Sequence, residues 1–252
     1  RAIRDYFDQK LYEKADVIIG TPLGLSGFIP ESAEFDTLVV DEAGQAIEPL
    51  AWVVFPYAKS WILAGDPFQL PPTVISKKAS AHGLNISILE KCFVNSRAIY
   101  FLDTQYRMRP TIAEFSNRYF YEGQLKNAPK LANTANDLLF YDTAGTGYEE
   151  QKGKDGVSLM NEGELSLLLK IIHSEGLKSD RTAVVSPYSG QVQLAKDYLS
   201  GEIRTSTIDS FQGQEKEVIL LSLVRSNTEG DVGFLKDYRR MNVALTRAKE
   251  QL

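Results

Sequence analysis

The sequence predicts an α/β fold of parallel sheets flanked by helices. Three observations point there. Short runs rich in β-branched residues alternate with helical patterns along the whole chain. Two of those runs end directly in acidic residues, at Asp41 and Asp66. The balance of 43% hydrophobic and 24% charged residues is that of an ordinary globular chain, and 252 residues give room for one large domain or two smaller ones.

In chain order, the expected strands are Asp16–Gly20, Thr37–Asp41, Ser60–Ala64, Ala98–Asp103, Leu138–Tyr141, Thr182–Ser186, Arg204–Thr207 and Glu217–Leu223. Each is a short apolar or β-branched run bounded by turn residues or charges. Leu165, Leu168, Leu169 and Ile172 recur at helical spacing, and Asn161 followed by Glu164 has the form of a capping box. A second helix is expected over Gly190–Leu199. The Gly-, Asn-, Asp- and Thr-rich stretch Pro129–Val157 reads as a surface excursion around one short strand. A domain border is expected near Lys91–Arg97, giving domains of 1–95 and 96–252. Trp52 and Trp61 flank apolar positions and are expected in the core.

Composition excludes several classes. The single cysteine, Cys92, rules out an internal disulfide framework and fits a reducing compartment. Two distant histidines, His82 and His173, with no thiol cluster argue against a zinc site. No apolar run approaches membrane-spanning length, and the opening RAIRDYFDQK has no apolar signal region. The expected location is cytoplasmic, or nuclear in a eukaryote. A net charge of −5 does not advertise a nucleic-acid binder, so motifs have to carry any such claim.

The string FDTLVVDEAGQAIEP (Phe35–Pro49) reads as a buried strand ending in two acids. Ligands of parallel sheets sit beyond the carboxyl ends of strands, which places Asp41 and Glu42 where chemistry occurs. One Asp suits Mg²⁺, which keeps most of its waters, and a second carboxylate can orient or deprotonate an attacking water. The plain alternative is a solvated strand end that caps the next helix.

DEAGQA followed by LAGDPFQLPPTV (Leu63–Val74) resembles motifs II and III of superfamily 1 helicases. More narrowly, it resembles the 1B branch that includes senataxin, the nonsense-mediated-decay helicase and the immunoglobulin mu-binding helicase. The likeness continues in order through LDTQYRMRP (Leu102–Pro110), FYEGQL (Phe120–Leu125), VVSPYSGQ (Val184–Gln191), STIDSFQGQEKEVILLSLVRSN (Ser206–Asn227) and YRRMNVALTRAK (Tyr238–Lys249). It covers about Ala15 to the last residue, with motifs Ic, II and III in the first domain and IV, V and VI in the second. It implies RecA-like sheets, a motor driven by ATP and Mg²⁺, and movement from 5′ to 3′ on single-stranded DNA or RNA, by a monomer with no membrane partner.

The same resemblance implies roles. Asp41 would hold Mg²⁺ and Glu42 would activate water. Gln69 would sense the γ-phosphate with an amide that both donates and accepts. Arg107 and Arg247 would be arginine fingers of the second domain. Gly213 and Glu215 would hold the nucleotide, and Tyr106 could stack on adenine. GTPLGLSG (Gly20–Gly27) resembles motif Ic, with Thr21 and Ser26 as phosphate contacts. Pro187, Tyr188, Thr207 and Ser210 would line the strand's path on the second domain, Tyr188 offering a stacking face. Each of these also fits a polar turn residue that satisfies its own backbone.

No G-x-x-x-x-G-K-[ST] string occurs in the chain. The resemblance places that phosphate cradle upstream of Arg1. The chain is therefore expected to be the later half of the first RecA-like domain and nearly all of the second, binding ATP weakly or not at all alone. Two other readings stay open: a non-catalytic nucleic-acid-binding or scaffolding piece, and a translocase or remodeller that does not separate strands.

Overall fold

The computed structural model describes residues 10, 12, 14–30, 32–95, 98–199 and 201–252. The reading of the opening decapeptide falls almost wholly outside them. The chain forms two compact units, residues 1–100 and 101–252.

In the first unit, α1 (Pro22–Ser26) precedes β1 (Phe35–Val40), and α2 (Glu48–Val54) leads into β2 (Ala58–Leu63). The two strands pair in parallel, with Val40 opposite Leu63. Leu38, Val40 and Leu63 pack on a cluster of Ala43, Ala51, Val54, Phe55, Ile88 and Leu89. The helices α3 (Lys77–Ala81) and α4 (Ile88–Asn95) follow. The expected burial of β1 is corrected: Val39 is 60% exposed, because β1 has only β2 beside it among the described residues. Trp52 and Trp61 are likewise half-exposed. They lie against Phe55, whose ring stacks on Trp61 at 4.3 Å, so only part of each indole is covered. Asp16–Gly20 is not a strand; no ladder reaches it among the described residues, and Ile19 is exposed.

In the second unit, β3 (Thr104–Gln105) pairs in parallel with β4 (Lys126–Asn127) across α5 (Pro110–Phe120). The antiparallel pair β5 (Gln151–Lys152) and β6 (Leu159–Met160) leads into α6 (Glu162–Ser174). Then come β7 (Thr182–Ser186), α7 (Ser189–Leu199), β8 (Arg204–Thr207), β9 (Lys216–Leu221), α8 (Tyr238–Leu245) and β10 (Ala248–Gln251). The main sheet has the order β10-β9-β7-β8, every pairing parallel. Every residue of the inner strand β7 is buried, which is why TAVVS is apolar on both faces. Leu165 and Leu168 of α6 and Leu194 and Ala195 of α7 close the core over Val184 and Ile203.

Two further expected strands are absent. Ala98–Asp103 makes no ladder among the described residues, although Asp103 O accepts from Lys126 N–H and the next two residues form β3. Leu138–Tyr141 touches the end of β10 through two backbone bonds, Leu139 N–H to Leu252 O and Leu252 N–H to Asp137 O, before the chain turns away. The short strand of that excursion is instead Gln151–Lys152.

Asn161 caps α6 as expected, its side chain accepting from Glu164 N–H at 3.0 Å. The Glu164 carboxylate does not return the bond. It accepts from Ser222 Oγ at 2.6 Å and from Val224 N–H at 3.0 Å. Val224 is fully buried at φ 70°, a left-handed conformation that costs a β-branched residue about 1–2 kcal/mol. The bond its N–H donates to the Glu164 carboxylate and the buried bond its carbonyl accepts from Asn161 Nδ2 hold it there.

Candidate functional site

In the first unit the chemistry-bearing residues follow the carboxyl ends of β1 and β2. Asp41 and Glu42 leave the strand after Val40, so the alternation of a strand no longer governs them. Glu42 instead takes a left-handed conformation at φ 51°, and its N–H donates to Asp41 Oδ1 at 3.0 Å. This turns the chain into the one-turn 3-10 helix Ala43–Gln45, from which the Gln45 amide donates to Glu42 Oε2 at 2.9 Å.

The loop after β2 is stitched to this turn. Ala43 N–H donates to Ala64 O at 2.8 Å, and a side chain on Gly44 would come within 2.9 Å of the Asp66 carbonyl oxygen. Asp66 accepts from Phe68 N–H at 2.9 Å and from the Gln69 amide at 3.0 Å. Gln69 is thereby oriented with its amide nitrogen on Asp66. The arrangement joins two exposed carboxylates and a fixed amide on adjacent loops, a set able to hold a hard cation and polarise a water. Asp41 Oδ2 has no protein hydrogen bond among the described residues, and its donor chemistry fits Mg²⁺ carrying most of its own waters. No group of three or more potential metal ligands occurs among the described residues.

In the second unit a different cluster gathers at the amino ends of β9 and β10. The carboxylate of Glu215 pairs with Arg107 Nε at 2.5 Å and with Lys249 Nζ at 2.8 Å. The Lys249 ammonium, and after it the Arg107 guanidinium, hold the Glu215 carboxyl below its usual range despite partial burial. Gln105 sets the turn carrying Arg107: its Oε1 accepts from the N–H groups of Arg107 and Met108 at 2.9 and 2.8 Å. Gln105, Tyr106, Arg107, Met108, Glu215 and Lys249 line an open depression of about 540 Å³. Tyr106 is 65% exposed at its rim. Gly213, two residues before Glu215, has φ 76° and supplies the left-handed turn into β9. Two cations and one anion leave the depression suited to a polyanion.

Arg247 is placed otherwise. It is buried, donating from Nε to Val243 O at 3.0 Å and from Nη2 to Thr246 Oγ1 at 3.0 Å. Its guanidinium thus closes the carboxyl end of α8 and does not line the depression.

The remaining candidates lie elsewhere. Thr21 caps α1 by accepting from Gly24 N–H, and Ser26 Oγ donates to Leu23 O. Pro187, Thr207 and Ser210 follow the carboxyl ends of β7 and β8, the sheet end opposite the Arg107 cluster. Thr207 and Ser210 pair through their hydroxyls at 3.0 Å. Tyr188 is buried, its hydroxyl accepting from Phe234 N–H at 3.3 Å. The stacking face expected of it is therefore covered. Asp66 was noted in the sequence only as the acidic end of a strand run and Lys249 only as the last residue of a matched string, neither with a role; their place near Gln69 and Arg247 in those strings was the available signal.

Two family models, each described as an AAA domain, match residues 1–77 and 84–252. The chain is 38% identical over 265 residues to the "DNA-binding protein SMUBP-2" of Mesocricetus auratus, across 94% of this chain and 27% of that protein. It is 35% identical over 272 residues to the "Regulator of nonsense transcripts 1 homolog" of Drosophila melanogaster, across 99% of this chain and 23% of that one. The chain thus spans about a quarter of the length of these relatives. A solved structure described as "Complex structure of Arterivirus nonstructural protein 10 (helicase) with DNA" aligns with TM-score 0.47 at 15% identity, covering 88% of this chain and 40% of that one.

Proposed function

The chain belongs to the superfamily 1B helicases, the AAA-domain family its two halves match, and from that premise we propose that it carries the hydrolytic and arginine-bearing elements of an ATP-driven motor moving 5′ to 3′ on single-stranded nucleic acid. The observation that carries this reading is the pairing of two built sites. One is the acid turn Asp41–Glu42, locked backbone to backbone with the loop that holds Gln69. The other is the Arg107–Glu215–Lys249 cluster around an open depression.

Asp41 is the residue that would hold Mg²⁺, which supplies charge neutralisation on the transferred phosphoryl group when bound. Glu42, poised by its left-handed turn and by Gln45, accepts the proton of the attacking water. Gln69, fixed through its nitrogen to Asp66, accepts or donates at the γ-phosphate with what remains of its amide. Arg107 stabilises charge that develops during transfer, and Glu215 with Gly213 receives the nucleoside. Tyr106 offers an exposed ring to adenine. Arg247 joins as a second finger once its guanidinium exchanges Val243 O, Gln214 O and the Thr246 hydroxyl for phosphate oxygens.

Thr21, Ser26, Pro187, Thr207 and Ser210 supply neutral hydroxyl and backbone contacts to the strand's phosphates, which explains how a chain of net charge −5 grips a polyanion. Tyr188 serves this path by support, not by stacking. The motor works as a monomer, in the cytoplasm or a eukaryotic nucleus. Among the described residues no helix is long and apolar enough to cross a membrane.

Strand displacement by the full-length protein tests the polarity. Duplexes with a 5′ single-stranded tail should be unwound and those with a 3′ tail left intact; ATP-dependent protein displacement without unwinding would instead make it a translocase.

A further inference from the structure

We propose that Phe234, held by Tyr188 and Arg240, is a stacking platform for one base of the single strand, taking the role that the buried Tyr188 ring cannot. This rests on the nucleic-acid reading above and names a residue of that path.

Four observations converge on it. Phe234 is 54% exposed, although its ring touches Tyr188 at 5.4 Å and lies under the Arg240 guanidinium at 5.3 Å. It is therefore a supported ring with open surface. Next, the support is tied to the hydroxyl path: Arg240 donates to Asp209 at 3.0 Å, and Asp209 is the neighbour of Ser210. The platform thus shares the carboxyl end of the sheet with Thr207 and Ser210. Third, the backbone beneath it is built closely. The Tyr188 hydroxyl accepts from Phe234 N–H, and a side chain on Gly233 would stand 2.4 Å from that hydroxyl and 2.6 Å from Arg225 Nη1. Arg225 is itself anchored by Glu150 and Asp231, each at 3.0 Å. Finally, the nearby cations are already engaged, since Arg225 pairs with Glu150 and Asp231, Lys236 with Asp231, and Arg240 with Asp209 and Asp237. A flat apolar face in such a setting recognises a planar base, whereas a phosphate would need free cations. Phosphates fall to the adjoining hydroxyls.

The test is equilibrium binding of the full chain to labelled oligothymidine, oligouridine and an abasic sugar-phosphate oligomer, comparing wild type with Phe234→Ala and Phe234→Trp. Loss of one stacked base predicts about tenfold weaker binding of Phe234→Ala to base-bearing strands. The abasic oligomer should bind both proteins equally, and Phe234→Trp should keep wild-type affinity. Loss with only one of the two base-bearing strands would support the platform and assign it to DNA or to RNA. An unchanged affinity in Phe234→Ala, or an equal loss on the abasic strand, overturns the platform and leaves the motor reading intact. Failure of the wild type to bind any strand overturns the nucleic-acid reading itself, and the platform with it.

Discussion

Arg107 donates from Nε to Glu215 Oε2 at 2.5 Å while Lys249 holds the other carboxylate oxygen at 2.8 Å. Glu215 therefore keeps two cations side by side that would otherwise repel, and a polyphosphate reaching the depression meets both. The carboxylate and the phosphate compete for the same guanidinium.

That competition has a pH signature. The Glu215 pKa is depressed in the folded chain, so its ionisation stabilises the fold above the ordinary glutamate range, and this contribution is lost as pH falls through the lower folded value. All three side chains are about one-third exposed, so solvent screening keeps the effect small. Glu215→Gln should cost under about 1 kcal/mol at neutral pH. The cost should shrink toward zero in acid, read as the change in urea midpoint at the two pH values.

Arg247 should matter for stability as well as for turnover. Its buried guanidinium donates to Val243 O, the Thr246 hydroxyl and Gln214 O, and truncation removes all three bonds, although the Thr246 hydroxyl keeps its own bonds to Asn242 O and Val243 O. Arg247→Ala should lower unfolding free energy by about 2–3 kcal/mol. Arg107→Ala, at a position about one-third exposed, should cost well under that in the same denaturation experiment.

Gly44 is where the two loops of the first unit meet. A methyl group there would stand 2.9 Å from a backbone oxygen of Asp66, an atom that cannot swing aside. Gly44→Ala should therefore part the acid turn from the Gln69 loop and reduce ATP turnover about tenfold or more, by analogy with other small misplacements of reacting groups. Steady-state hydrolysis by the full-length variant checks this; unchanged turnover would show that the two loops act independently.

Gln191 is fully buried and fully used. It accepts from Asn161 N–H at 2.7 Å and donates to Asn161 O and Ser222 Oγ. Replacement by leucine removes three bonds at once and should destabilise by about 2–4 kcal/mol. Thermal or urea unfolding measures it.

The parallel strands around Val184 and Leu220 were legible as apolar, β-branched runs, while that around Thr205, the polar run RTST, was marked only by its β-branched threonines. The α6 cap at Asn161 was likewise legible locally. What the sequence hid depends on partners. Ala98–Asp103 has strand composition but joins no ladder among the described residues, and Trp52 and Trp61 are apolar yet only half covered. The strings around Asp41, Gln69, Arg107 and Glu215 offered candidate polar and charged groups, but not their partners. That Lys249 shares Glu215 and that Tyr188 lies against Phe234 are long-range contacts without a spacing to betray them, whereas the bond from Gln69 to Asp66 is local and depends on the turn the chain takes after β2.

The most direct measurement is ATP hydrolysis by the full-length protein, with and without single-stranded DNA or RNA, beside its Glu42→Gln variant. Turnover that rises with nucleic acid and falls by at least about a hundredfold in the variant, the scale expected for loss of a general base, is the predicted result. A folded protein that shows no turnover, or a variant as active as the wild type, would contradict the account of the Asp41–Glu42 turn as the hydrolytic centre.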